Sequence, residues 1–416
     1  MSFVCVTTVA RERHTWLGSE VPPEVSPVCR KDRVWAGVYA SGLVMSGQDE
    51  LPAGIPIGGR LALWRTRRGL TRSELADRAG IPAVHIEQWE SGADWVDRHG
   101  PLAALAAALR LDPGLLTGQP YPAVGSKHAS VRAVAFQLRR QLSQRQATGD
   151  GPEPADNFAH RVRVAVAAEE AGDEYLLARG LPGLIRAADR TAANAPGFRT
   201  DDLWVRAQVL AAGLLRRLGY RDLAGMFLHR ARSAGAEAGP VVAEETRLLI
   251  DLGLPVPALA RADRAGEAGS YAELTTLTAF AEAMAGRSLR AAQLLSEAAL
   301  RAEDERSIAT TTAARAVVAL EYGAPEEAAE HARAVDLSVL CPSERVHLLR
   351  AASAAAARLG DIGSAIEALA EADAAAPLRF RLDPFARELV VALSTRTGGG
   401  DRHDALRVLT ERIGLG

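Results

Sequence analysis

The side chains best equipped for chemistry in this sequence are arginines. Residues 60–78 hold six of them, Arg60, Arg65, Arg67, Arg68, Arg72 and Arg78, against two acids, Glu74 and Asp77, so the segment carries +4 while the whole chain carries −2. Arginine is a permanently charged fork that fits phosphate and carboxylate oxygens. In a chain with no overall positive field, such a cluster points to a local contact with an anion. No catalytic pattern competes with it. There is no glycine-rich phosphate loop, no HExxH and no GxSxG. The nine histidines and the three cysteines, Cys5, Cys29 and Cys341, fall at no metal-ligand spacing. The expectation is therefore no enzyme, no metal and no cofactor, and the odd, scattered cysteines fit a reducing compartment.

The elements that would carry these arginines are short helices with sharp punctuation. Leu61, Leu63 and Trp64 belong to a first helix whose polar face bears Arg60, Arg65, Arg67 and Arg68. Thr71 followed by Glu74 is a capping box that opens a second helix over Arg72–Ala79. Gly80 supplies a tight turn, Pro82 suits a helix start, and Ala83–Trp89 make a third helix. Leu75, Ala76, Ile81, Ile86 and Trp89 are the apolar set that such a compact unit must bury.

The stretch LTRSELADRAGIPAVHIEQWESG, from Leu70 to Gly92, resembles the phage-repressor (Cro/repressor, or XRE) helix-turn-helix family. The tail LAALAAALRLDPGLLTG over 102–118 is similar to that family's closing helix, and Glu90 and Gly92 match the acid and glycine that end its third helix. One departure is a longer connection, Ala93–Gly100, before Pro101. The resemblance implies a five-helix DNA-binding domain whose partner is double-stranded DNA. It places the exposed start and mid-face of the third helix, here Ala83, Val84, His85 and Gln88, against base edges. Gln88 can make two hydrogen bonds to an adenine, and Ala83 or Val84 can meet a thymine methyl. Arg65, Arg68, Thr71 and Arg72 complete the implied DNA-binding set, with Arg72 at a helix start suited to a phosphate.

Behind this unit the sequence repeats. Gly219, Gly253, Gly286, Gly323 and Gly360 are spaced by 34, 33, 37 and 37 residues. Each is followed at +5 by alanine (Ala224, Ala258, Ala291, Ala328, Ala365) and at +12 by Ala231, Ala265, Ala298, Val335 or Ala372. A glycine ending one helix, with small residues on one face of the next, describes closely packed helix pairs. The period is similar to that of the tetratricopeptide repeat, although Gln208 and Thr246 stand where that family has large aromatics. A sixth unit is expected around Gly180 and a seventh over 395–416. Positions 13, 10, 6 and 3 residues before each glycine would line the concave side: Arg206, Arg216, Arg247, Glu273, Thr276, Phe280, Thr310, His347 and Arg350. Four arginines against one glutamate would suit a carboxylate or acidic peptide effector, unless neighbouring repeats pair them off.

The expected organisation is all-α: a poorly ordered leader over 1–54, with an alternative start at Met45; the DNA-binding domain over 55–120; a basic linker helix and loop over 121–156; and a tetratricopeptide-like solenoid over 157–416. No run of about 18 apolar residues suggests a membrane span. With two lysines among 49 basic residues and abundant alanine, the composition points to a G+C-rich genome such as an actinobacterium's. The architecture resembles bacterial regulators that join a Cro/repressor domain to helical repeats, which implies a cytoplasmic, nucleoid-associated transcription regulator. A protein-interaction scaffold in which DNA contact is secondary is the alternative. A homodimer is expected, paired through the 128–146 helix, whose stripe is Val131, Val134, Leu138 and Leu142, or through an end of the repeat array.

Overall fold

The computed structural model describes residues 54–143, 154–194, 202–233, 239–264, 272–396 and 401–415. The expectations for the leader, for the loop after residue 143 and for Ala265 fall wholly or mostly outside them. The described residues form helices and no strand. No helix among them is long and apolar enough to cross a membrane.

Five helices open the chain: α1 (Ile57–Arg67), α2 (Arg72–Ala79), α3 (Ala83–Ser91), α4 (His99–Leu109) and α5 (Pro113–Thr117). Their core is Ile57, Leu61, Leu75, Ile86, Trp89, Val96, Leu102, Leu105, Leu109 and Leu116. Leu63 and Trp64 lie at its half-buried edge. Phe385, far along the chain, completes the same cluster. Helix α6 (Gly125–Ser143) follows and packs on α8 (Glu174–Asn194).

Seven hairpins succeed it: α7 (Ala155–Glu170) with α8; α9 (Asp202–Arg217) with α10 (Arg221–Ser233); α11 (Gly239–Asp251) with α12 (Pro255–Asp263); α13 (Ala272–Met284) with α14 (Ser288–Leu300); α15 (Glu305–Tyr322) with α16 (Pro325–Arg333); α17 (Pro342–Arg358) with α18 (Ile362–Ala375); and, after the short α19 (Pro377–Leu382), α20 (Pro384–Ser394) with α21 (Asp401–Arg412). The five turn glycines read from the repeat all have positive φ, between 73° and 88°. The five +5 alanines are fully buried, so the helices of each pair approach with nothing larger than a methyl between them. The unit expected around Gly180 exists, but its turn is at Gly172, φ 63°, and Gly180 lies inside α8. The signal misled because α8 carries both Gly180 and Pro182, while the +5 position of the true turn is Leu177.

The array returns on itself. The first hairpin packs against α17 and α19, and Leu382 of α19 joins the hydrophobic cluster of the first two hairpins. A buried ion network seals the seam. Arg379 of α19 reaches Glu174 at 2.8 Å and Glu169 at 3.1 Å, and Arg217 of α9 reaches Glu169 at 2.7 Å. Burial raises the Glu169 carboxyl, but the Arg217 and Arg379 guanidiniums outweigh it and hold its pKa at about 2. Helices α4 and α5 sit against the turn ends of the hairpins: Gly253 lies beside Ala103 of α4 and Pro113 of α5, and Gly323 lies beside Arg98, just before α4.

The linker helix stripe does not face solvent. Val131, Val134 and Leu138 are buried, with Leu142 packed beside them, in one cluster with Leu177, Leu181, Leu184 and Ile185 of α8. Pairing of two copies through that stripe, as the sequence suggested, is thereby corrected. The first hairpin already covers it, because α8 offers an apolar face of its own in Leu177, Leu181, Leu184 and Ile185.

Candidate nucleic-acid interface

Helices α1 and α2, which carry most of the arginine cluster, are held at fixed angles to each other and to α3 by a few specific contacts. In α1, Gly58 lies so close to α3 that a Cβ there would be 1.8 Å from the Trp89 carbonyl oxygen; only glycine lets the helices cross at this distance. Helix α2 starts with the expected box: the Glu74 amide donates to Thr71 Oγ1 at 3.1 Å, and the Thr71 amide donates to Glu74 Oε2 at 2.8 Å. That backbone bond holds the exposed Glu74 carboxyl below its ordinary range. Gly80 and Gly92 close α2 and α3 in the left-handed conformation, φ 64° and 75°.

Glu90, at the end of α3, is the hub. Its carboxylate is buried and accepts from Arg65 Nε at 2.6 Å and from Arg72 Nε at 2.8 Å, joining the end of α1 and the start of α2 to α3. Arg65 also donates to the Leu70 carbonyl at 2.8 Å. Arg65 is thus a tie-bar between helices, and Arg72 is shared between Glu90 and the more distant Glu87 at 3.6 Å.

The remaining implied DNA-binding residues are presented outward. Arg68, Thr71, Arg72, Ala83, Val84 and His85 are exposed, and Gln88 is half-buried one turn further along α3. Val84, an apolar side chain, is 53% exposed at the start of α3. His85 stacks on Trp89 with 5.9 Å between ring centres. Arg67 and Arg78 are exposed as well and extend the positive rim. One side of α1–α3 therefore offers a helix start, apolar and amide side chains, and guanidiniums, a set able to meet base edges and phosphates.

The opposite side of the domain is clamped by the repeats. The long connection after α3 is the main grip. Trp95 is buried between two guanidiniums, Arg358 at 4.1 Å and Arg396 at 4.6 Å from its ring centre. Arg358 also reaches Asp94 at 2.6 Å, Asp97 at 2.8 Å and the Trp95 carbonyl at 2.8 Å. Arg396 donates to the Ala93 carbonyl at 2.6 Å. Helix α4 lacks a side-chain cap of its own; Glu321 of α15 accepts the His99 amide at 2.9 Å and the Gly100 amide at 2.7 Å. Helix α1 likewise lacks one, and its Ile57 amide donates to Glu388 of α20 at 2.8 Å. Gln119, just past α5, bridges the carbonyls of Arg217 and Leu382 at the seam of the array. Sequence reading missed Glu321, Arg358, Glu388 and Arg396. The one local signal was Asp94-Trp95-Val96-Asp97, an aromatic flanked by acids in a loop that calls for a cationic partner.

The concave positions also have definite surroundings. Arg216 pairs with Glu244 at 2.7 Å and Asp251 at 2.9 Å. Arg247 pairs with Glu244 at 3.3 Å and with Glu273, and Arg350 lies 3.4 Å from Asp383. Phe280 meets the His99 ring edge-on at 5.0 Å. The Thr276 and Thr310 hydroxyls donate to carbonyls of their own helices, Ala272 and Arg306. Arg206 is half-buried, and among the described residues no carboxylate pairs with it. His347 is open to solvent yet enclosed by the array. Enclosure by the array, then the guanidiniums of Arg379, Arg350, Arg216 and Arg247, lower its pKa from the ordinary imidazole value. The lining is thus not a row of free arginines: the repeats neutralise most of them, and α4 fills part of the space.

Residues 56–117 match the family described as a helix-turn-helix domain. No curated protein is detectably similar in sequence. Among solved structures, PilW, a widely conserved type IV pilus biogenesis factor, is similar over 54% of this chain and 96% of its own, with 14% identity and a TM-score of 0.37. The chain thus contains a helix-turn-helix domain, and an all-helical repeat array follows it.

Proposed function

We propose that the protein is a sequence-specific DNA-binding transcription regulator of the Cro/repressor (XRE) kind, cytoplasmic, in which the repeat array holds the reading unit in one fixed orientation. The observation that carries this reading is the two-sidedness of the helix-turn-helix. Its α4–α5 side is buried in the repeats, while the starts of α2 and α3, with Arg68, Arg72, Val84, His85 and Gln88, face outward. A helix of about 10–12 Å diameter fits the B-DNA major groove. Phosphates would be met by Arg67, Arg68 and the free edge of Arg72.

A homodimer remains part of the proposal, since a single unit reads few base pairs and two across half-sites about one helical turn apart are the usual solution. With the α6 stripe covered, its surface lies elsewhere. An anionic effector would find Arg206 and His347 inside the array. Selection of bound duplexes from a random pool by the full chain tests the main reading. Enrichment of one motif is expected, and recovery of unenriched sequence would reject it.

A further inference from the structure

Two helices of the reading unit end, at their N-termini, on carboxylates from the repeat array: α4 on Glu321 and α1 on Glu388. Unpaired amides at a helix start are costly when buried, so these contacts complete the fold of the helix-turn-helix from outside it. The two carboxylates differ in their company. Glu321 sees the His99 amide, the Gly100 amide and the His99 ring, whose Nδ1 is 3.2 Å away. Glu388 is buried and accepts from the Ile57 and Val96 backbones, but it shares its site with the Asp97 carboxylate. Arg60 of α1 is its cationic neighbour. Arg387, next to it on α20, turns away to the Ile413 carbonyl at 2.6 Å and the Tyr121 ring at 4.0 Å. Asp97 itself is held by Arg358. A cavity of about 20 Å³, lined by Ile57, Tyr121 and Glu388, borders the carboxyl and has room for one water-sized molecule.

We propose that Glu388 is a proton-sensitive latch: its neutral acid fits the junction between repeats and reading unit, and its ionisation loosens α1 and the Val96 segment from the array. Burial first, then the nearby Asp97, push this carboxyl up to about 7 despite the Ile57 and Val96 amides and Arg60. A carboxyl raised on docking binds its proton more tightly in the docked state. Docking is therefore strongest below the ordinary glutamate range, weakens as pH climbs towards 7, and levels off above it. The latch acts on the regulator's reading unit in a pH window that a cell can visit. Its site lies on the clamped side, away from the exposed starts of α2 and α3.

Hydrogen exchange of the full chain, followed at peptides covering Ile57 and Val96 and corrected for intrinsic rates, tests it. Exchange at these amides reports docking whether or not the unit binds DNA, so failure here is separable from failure of the DNA reading. From pH 5.5 to 7.5 wild-type protection should fall about tenfold or more. Glu388→Gln keeps an acceptor oxygen without a charge; its protection should stay level and exceed that of wild type at pH 7.5. Identical profiles for the two proteins, or a variant less protected than wild type at pH 7.5, would overturn the latch. Should that variant not fold, Asp97→Asn serves instead. Removal of the opposing charge must move the wild-type midpoint to lower pH, and an unmoved midpoint rejects the proposal.

Discussion

The two sides of the helix-turn-helix are stabilised in different ways. On the outward side, α2 carries its own capping box, and α2 and α3 carry their own closing glycines, all within three or four residues of the groups they satisfy. On the inward side, α1 and α4 have no cap of their own and take theirs from Glu388 and Glu321, 331 and 222 residues away from the amides they accept. The outward side is built to be exposed and reaches its shape by local rules. The inward side draws the groups that satisfy its helix starts from the repeats. That division suits a reading unit whose contact face must be free and whose bearing must be rigid.

The contrast can be broken first from the inward side. Phe385 is buried in the reading unit's core, with its ring 4.5 Å from that of His99. Phe385→Ala should cost about 3–5 kcal/mol in denaturant unfolding and expose α1 and α4 to exchange before the outer repeats. A loss confined to the last hairpins would show that the core is not shared. The outward side breaks at Glu90. Glu90→Gln removes the charge that binds Arg65 and Arg72 and should cost about 3 kcal/mol, below the fully buried case because Arg72 is half exposed. Exchange should rise in α2 and α3 while protection of the His99 and Gly100 amides persists. A smaller cut, Thr71→Ala, should cost about 1 kcal/mol and be felt only at the start of α2.

The same division explains what the sequence made legible. Thr71, Glu74, Gly80 and Gly92 announce α2 and α3 because the groups that satisfy these helices are neighbours along the chain. The five turn glycines with their +5 alanines were legible for a like reason: each hairpin repeats a local geometry. Glu321 and Glu388 were not legible, since a glutamate on a repeat helix looks solvated until the fold brings a helix start to it. Arg216, Arg247 and Arg350 were placed on the concave side by register, but register says nothing of Glu244, Asp251 and Asp383 beside them. The α6 stripe failed as a pairing surface in the same way. Its apolar residues required a partner, and α8 of the same chain supplied it.

The central claim, that the outward side reads DNA, is tested most directly by titrating the full chain against a duplex selected from a random pool and against a scrambled duplex, across a range of salt. Affinity for both should fall linearly on a log–log plot with salt, with the selected duplex bound more tightly throughout. Gln88→Ala should lose on the order of 1–3 kcal/mol on the selected duplex and relax the preference at one base pair, while Arg68→Ala should weaken both duplexes alike and flatten the salt slope. Equal affinity for the two duplexes at every salt concentration, or a Gln88→Ala loss of the same size on both, would contradict the account.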